Sequence, residues 1–200
     1  MRSWSLFFIL LTSACAYRHD FTPREFNTYV SGGGSRMNRR GHSLFRTIHF
    51  ELAGDSELAN RWMRQTGAGM SISYSDIHQA RSWFGYRDGD PDDWVRGVSS
   101  FFFLRRHWRE DFNIQPYAEL GTGPMWSNRR VPAATSRFNM NSQAGFGAIL
   151  FARSHVPLHV GYRFSHISNG GLMGRNPGIQ VHQAVIGVRV KPLGSPASRR

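Results

Sequence analysis

The stretch Val156-Pro157-Leu158-His159-Val160-Gly161-Tyr162-Arg163-Phe164-Ser165-His166-Ile167-Ser168 decides the fold. Val156, Leu158, Val160, Tyr162 and Phe164 alternate with His159, Gly161, Arg163 and Ser165. A period of two sets the apolar residues on one face of a β-strand and the polar and small ones on the other. The same alternation recurs on both sides of this stretch. Phe138, Met140, Ala144, Phe146, Ala148 and Leu150 oppose Asn139, Asn141, Gln143, Gly145 and Gly147. Phe112, Ile114, Ala118 and Leu120 oppose Asn113, Gln115 and Glu119, while Ala184, Ile186, Val188 and Val190 oppose Gln183, Gly187 and Arg189. Weaker versions over residues 25–33, 43–52, 67–76 and 95–104 give eight predicted strands in all.

The strand lengths approach the ~9–11 residues with which a tilted strand crosses a bilayer. Connections at 55–60, 106–111 and 153–155 are short, whereas those at 33–41, 77–94, 127–137 and 169–178 are longer and carry Gly, Pro or charge. Short turns at one end and long loops at the other are the habit of an outer-membrane barrel. The expectation is therefore an all-β fold, an eight-stranded antiparallel transmembrane β-barrel over residues 17–190. Val160, Tyr162, Phe164, Ala184 and Ile186 then face lipid, and Glu119, Asn141, Gln143 and Arg163 line the interior. Alternation alone does not say which face is inside, so a secreted soluble barrel with an apolar interior stays open.

Residues 1–16 read as a secretory signal peptide. Arg2 precedes the apolar run Leu6-Phe7-Phe8-Ile9-Leu10-Leu11, and the small residues Ala14-Cys15-Ala16 supply a cleavage site. In a second reading Cys15, the only cysteine, becomes the acylated first residue of a lipoprotein. Both readings export the chain, and the first leaves it without any possible disulfide. Residues 191–200, rich in Pro, Gly, Ser and Arg, read as a flexible tail. The net charge is +12, and of the 25 basic residues only Lys191 is not arginine. Arginine's planar fork matches phosphate. Export argues against nucleic acid as the partner and for a phosphorylated lipid of the bacterial outer membrane.

Chemistry concentrates in His166-Ile167-Ser168-Asn169-Gly170-Gly171 and Asn176-Pro177-Gly178-Ile179-Gln180. His166 and Ser168 stand two apart on a strand, so they share the face given to lipid, where a polar pair has no structural purpose. Gln180 falls on the equivalent face of the next strand. A serine, a histidine and an orienting third group are the parts of acyl transfer. Gly170, Gly171 and Asn176 offer donors to an oxyanion.

This run resembles the signature of the outer-membrane lipid A 3-O-deacylases of the PagL type. The resemblance implies an eight-stranded barrel and a carboxylic ester hydrolase that removes the 3-O-linked acyl chain of lipid A without a metal or cofactor. It implies Ser168 as nucleophile, His166 as base, and Asn176 with the Gly170 and Gly171 backbone as oxyanion hole. The position of the family's orienting glutamate holds Gln180. A neutral amide does not stabilise an imidazolium as a carboxylate does, and in a serine triad that exchange costs about 10⁴ in rate. No nearby acid compensates, because Glu119 is the last carboxylate side chain in the sequence. A barrel that binds lipopolysaccharide without hydrolysing it is the alternative.

Arg129, Arg130 and Arg175 are expected at the outer rim as contacts to substrate phosphate. His155 and His159 have a spacing that suits a helix, but they lie in strand sequence, so no metal site is expected. The acidic run from Asp88 to Asp93 lacks the bidentate glutamate of an EF-hand and reads as an ordinary loop.

Overall fold

The computed structural model describes residues 21–36, 42–56, 59, 61, 64–79, 94–133, 135–172, 176 and 178–190. The proposed signal peptide with Cys15, the tail, the acidic loop and Arg175 lie outside them. Eight strands follow in order: β1 Phe21–Arg36, β2 His42–Ser56, β3 Thr66–His78, β4 Trp94–His107, β5 Ile114–Ser127, β6 Phe138–Leu150, β7 Leu158–Ser168 and β8 Ile179–Val190. Each pairs antiparallel with the next, and β8 pairs with β1 to close a barrel. Closure leaves no strand edge unpaired, as spanning a bilayer requires.

The faces fall as the alternation predicts. Phe50, Ile72, Leu120, Phe146 and Ile186 stand exposed on the outer wall, while Asn27, His49, Glu119, Asn141, Arg163 and Gln183 are buried inside. An apolar skin around a polar interior has its favourable solvent in lipid, not water, which disposes of the soluble-barrel reading. Several strands run further than the alternation shows. β1 continues through Gly32-Gly33-Gly34 to Arg36, so the first long-end connection shrinks to residues 37–41. Conversely, residues 57–65 separate β2 from β3 at the short-turn end.

The lumen is filled in tiers. At mid-height, Arg105 donates to both carboxylate oxygens of Glu51 at 2.6 and 2.9 Å and, through Nε and Nη2, to Glu119 at 3.0 and 2.6 Å. Arg163 donates to the other oxygen of Glu119 at 3.0 and 2.7 Å. Asn27 and the Tyr29 hydroxyl donate to Glu51 at 2.8 and 2.7 Å. Two guanidiniums and two carboxylates thus neutralise one another with their hydrogen-bonding capacity shared out, the condition under which buried charge is tolerated. Toward the short-turn end a polar cavity of about 620 Å³ opens below Arg105 and beside His107.

The long-loop end differs from the sequence expectation of a polar interior throughout. Phe45, Ile77, Val95, Met125, Ile167, Ile179 and Val181 point inward there and pack with Val131 of the β5–β6 connection as an apolar stopper. Except for Ile179 and Val181, which follow each other on the inner face of β8, these residues occur singly among polar or small inward neighbours on their strands, so it is the barrel's register that assembles them into one layer.

Candidate active site on the outer wall

β7 ends beside this stopper. Ile167 is buried in it at 2% exposure, opposite Ile179 of β8, which is equally buried. With Ile167 anchored inward, the pleat turns His166 and Ser168 outward. Gln180 is turned outward in the same way between Ile179 and Val181, and it lies directly across from His166. Such cross-strand neighbours have Cβ atoms about 4.5–5.5 Å apart. Among the described residues no hydrogen bond joins the side chains of Ser168, His166 and Gln180 to one another.

The chain leaves β7 through a tight turn. Asn169-Gly170-Gly171-Leu172 is closed by the Leu172 N–H donating to the Asn169 carbonyl at 3.1 Å, with φ of +63° at Gly170 and +79° at Gly171. Positive φ at both central residues is a type I′ turn, which favours glycine. The buried Asn169 completes it, accepting the Gly171 N–H on Oδ1 at 2.9 Å. This gives the glycine pair a structural role that the sequence reading did not assign. It also commits the Gly171 N–H, leaving Gly170 as the backbone donor of the two. The Asn169 N–H donates to Oδ1 of Asn176 at 3.0 Å. That bond ties the far arm of the loop to the end of β7 and leaves the Asn176 Nδ2 donors uncommitted among the described residues.

Gly178 fixes the histidine. Its φ is +59°, and a Cβ there would stand 2.8 Å from Cε1 and 3.4 Å from Nε2 of His166. The imidazole edge therefore lies over the bare Gly178 backbone, one residue beyond the Ile167–Ile179 pair and so at the level of Ser168. The ring leans toward β8, and Ser168 stays approachable from the β6 side, where Met140 is its partner.

Two sets of polar residues on this wall escaped the sequence reading. On β6, Ser142 pairs with His166 in register, and its hydroxyl shares a 2.9 Å hydrogen bond with that of Thr122 on β5. On β8, His182 faces Phe164, and its Nδ1 pairs with the Tyr162 hydroxyl at 2.5 Å. Both could have been found as polar interruptions of an outward apolar face. Ser142 is hard to see in the sequence because Met140 and Ala144 around it keep the alternation apolar.

Of the three arginines expected at the rim, Arg175 lies outside the described residues, and Arg129 and Arg130 are exposed in the connection 128–137, at the same end of the barrel as the β7–β8 loop. Their carbonyls are held by the Ser127 hydroxyl at 2.7 Å and by Nε2 of Gln79 at 2.8 Å, which leaves the side chains on the outside.

Comparison with known proteins bears on both fold and family. The crystal structure of the outer membrane enzyme PagL superposes with a TM-score of 0.57 at 16% identity, over 83% of this chain and 99% of that one. Neisserial surface protein A (NspA) superposes at 0.60 with 10% identity, over 86% and 99%. At these identities the likeness establishes the fold, an eight-stranded outer-membrane barrel. A comparison with curated proteins finds no match. The sequence pattern of the family described as lipid A 3-O-deacylase (PagL), however, matches residues 34–189, which include β2 to β7 whole, β8 but for its last residue, and only the last three residues of β1. The chain therefore belongs to the lipid A 3-O-deacylase (PagL) family.

Proposed function

We propose that the protein is an esterase of the outer leaflet, hydrolysing the 3-O-linked acyl chain of lipid A by a serine–histidine mechanism. The observation that carries this reading is the outward projection of His166, Ser168 and Gln180 at the long-loop end, where lipid covers the wall. That end faces the cell exterior in barrels of this kind, and lipopolysaccharide supplies the lipid there. A site on the inner wall would meet the stopper and the ion-pair layer instead of an acyl chain.

In this mechanism the Ser168 Oγ attacks the ester carbonyl while its proton passes to the imidazole of His166. The oxyanion is held by Nδ2 of Asn176 and the Gly170 N–H, which need no reorganisation as charge develops. Collapse breaks the bond to the sugar oxygen, which leaves with the proton from His166. Water, deprotonated by the same imidazole, then releases the fatty acid from Ser168. Gln180 sits where it can turn its amide oxygen to the imidazole N–H, as asparagine does in cysteine–histidine–asparagine sites. It holds the tautomer without neutralising the imidazolium, so the expected turnover is slow. Arg129, Arg130 and Arg175 contact the phosphates of the lipid from the rim.

The amide also supports a second reading, a barrel that binds lipopolysaccharide without turnover. Gln180→Glu separates the two. For a slow hydrolase, mass spectrometry of lipid A should show faster 3-O-deacylation by the variant, with a gain of up to ~10⁴. Ser168→Ala should abolish it in either background. Absence of released fatty acid from both parent and Gln180→Glu would rule out the hydrolase and leave the binding role. Strong parent activity lost on Gln180→Glu would show that the amide is integral to the mechanism.

A further inference from the structure

Packing accounts for two of the three glycines in Gly32-Gly33-Gly34 of β1. A Cβ at Gly33 would run into the carbonyl of His182 on β8, and one at Gly34 would stand 2.7 Å from the carbonyl of Ser43 on β2. Gly32 differs. A Cβ there meets nothing within 4 Å, and its φ is not one of the positive values that favour glycine. It nevertheless lies inside the sheet, paired with Arg46 of β2 on one side and Ala184 of β8 on the other. Glycine in a strand interior weakens the strand and often marks a place where a ligand approaches the backbone closely.

Gly32 is the floor of a groove of about 590 Å³ on the outer wall. The next outward rung is aliphatic, with Val30 between Ile48 and Ile186, and Tyr74 of β3 stands on the far bank. Strand direction gives the groove a top and a bottom. β1 runs toward the long-loop end, so the Val30 rung lies nearer the bilayer centre and the Gly32 rung nearer the extracellular surface. From Gly32 the cross-strand pairs continue through Arg46 to Asp76 of β3 and Arg96 of β4. Arg46 and Arg96 are exposed, and neither forms an ion pair with Asp76 or with any other of the described residues. The Arg46 guanidinium lies over the ring of Trp94, 5.4 Å from its centroid. Tyr74, Trp94 and Trp126 are all exposed at this end, as in the aromatic girdle that marks a barrel's membrane interface. Two guanidiniums and one carboxylate thus stand at headgroup depth above a trough walled by hydrocarbon.

We propose that this groove holds a lipid of the outer leaflet with a phosphate-bearing headgroup, bound without being cleaved. Arg46 and Arg96 take the phosphate, for which the guanidinium fork is suited. One acyl chain lies along the bare backbone of Gly32 and descends past Val30 between Ile48 and Ile186. The side chain that Gly32 lacks is the space the chain fills. This lipid is separate from the one at the β7 site. Ser168 is approached from the β6 side, whereas the groove lies beyond β8, behind the bank made by Ala184 and Ile186. The assignment does not depend on whether the barrel hydrolyses an ester. Each basic residue beside a lipid headgroup favours an anionic lipid by about fivefold.

The test uses the full barrel, released from detergent micelles in native mass spectrometry, and two dialkyl ether lipids with identical chains, a phosphatidic acid and a phosphatidylcholine. Ether linkages leave an esterase nothing to cleave, so retention is read apart from turnover. The parent should retain phosphatidic acid at about fivefold lower concentration than phosphatidylcholine. In Arg46→Ala that ratio should fall toward one. Gly32→Val, which fills the trough with a good strand former, should weaken both lipids alike. Equal retention of the two lipids by the parent would overturn the proposal, and so would undiminished retention by Gly32→Val. Displacement of phosphatidic acid by an equal concentration of glycerol phosphate would reduce the site to an ion contact and overturn it as well. A loss of 3-O-deacylation in Gly32→Val would assign the trough to the substrate's own chain, against a separate lipid. If the parent releases no fatty acid at all, the deacylase reading fails, while the retention ratios still decide for or against this site.

Discussion

Gly178 is the residue on which the geometry of the dyad turns. Its side-chain position is occupied by the edge of the His166 ring, and its φ of +59° is one that an L-residue adopts only with strain. Alanine there would displace the imidazole from its place over residue 178, and so change its position relative to Ser168, while costing the fold only ~1–2 kcal/mol. Displacement of a reacting group by about 1 Å can lower turnover about 10²-fold. Gly178→Ala should therefore refold into a heat-modifiable barrel on gel electrophoresis yet lose about that much 3-O-deacylase activity. Retention of full activity would show that the ring has another resting place. Gly170 and Gly171 differ, for a Cβ at either meets nothing within 4 Å, and only their turn conformation demands glycine. The motif residues His166, Ser168, Asn176 and Gln180 were legible in sequence because they interrupt an apolar strand face or resemble a family signature. The hydrogen bonds that divide the labour between Asn169, Gly171 and Asn176 were not. They depend on a turn type set by φ values that spelling alone leaves undetermined.

At the scale of the strand, side-chain alternation carries most of the information. β6 is legible to both ends, because its apolar and polar sets alternate from Phe138 to Leu150. β1 is the reverse case, since three consecutive glycines remove the pattern where the strand continues, and pairing with β2 and β8 extends it instead. Ile72, 60% exposed in the middle of β3, tests which solvent the outer face meets. Ile72→Arg should cost ~2–4 kcal/mol when folding is measured in a lipid bilayer, because the charge would sit near the bilayer midplane. A change within ~0.5 kcal/mol, typical of a water-exposed site, would contradict the membrane-spanning assignment. The apolar stopper was illegible for a related reason. Phe45, Ile77, Val95 and Met125 each look like an exception within their own strand, and only the relative shift of four strands makes them neighbours.

For the whole barrel, the ion-pair layer joins strands far apart in sequence: Glu51 from β2, Arg105 from β4, Glu119 from β5 and Arg163 from β7. Arg105 is its hub, 2% exposed and bonded to both carboxylates. Arg105→Met would leave Glu51 without its guanidinium and Glu119 with one in place of two. Removing one member of a buried ionic group costs about 3–5 kcal/mol. Urea titration in detergent should show that loss, and a variant as stable as the parent would mean that water replaces the missing charge. Above this layer the stopper closes the lumen from strand to strand with Phe45, Met125, Val131 and Ile179 among its parts. Eight strands thus carry the outward-facing His166, Ser168 and Gln180 without offering a hole. A bacterium could crowd its envelope with this protein, and nutrients, ions and antibiotics would cross no faster than before.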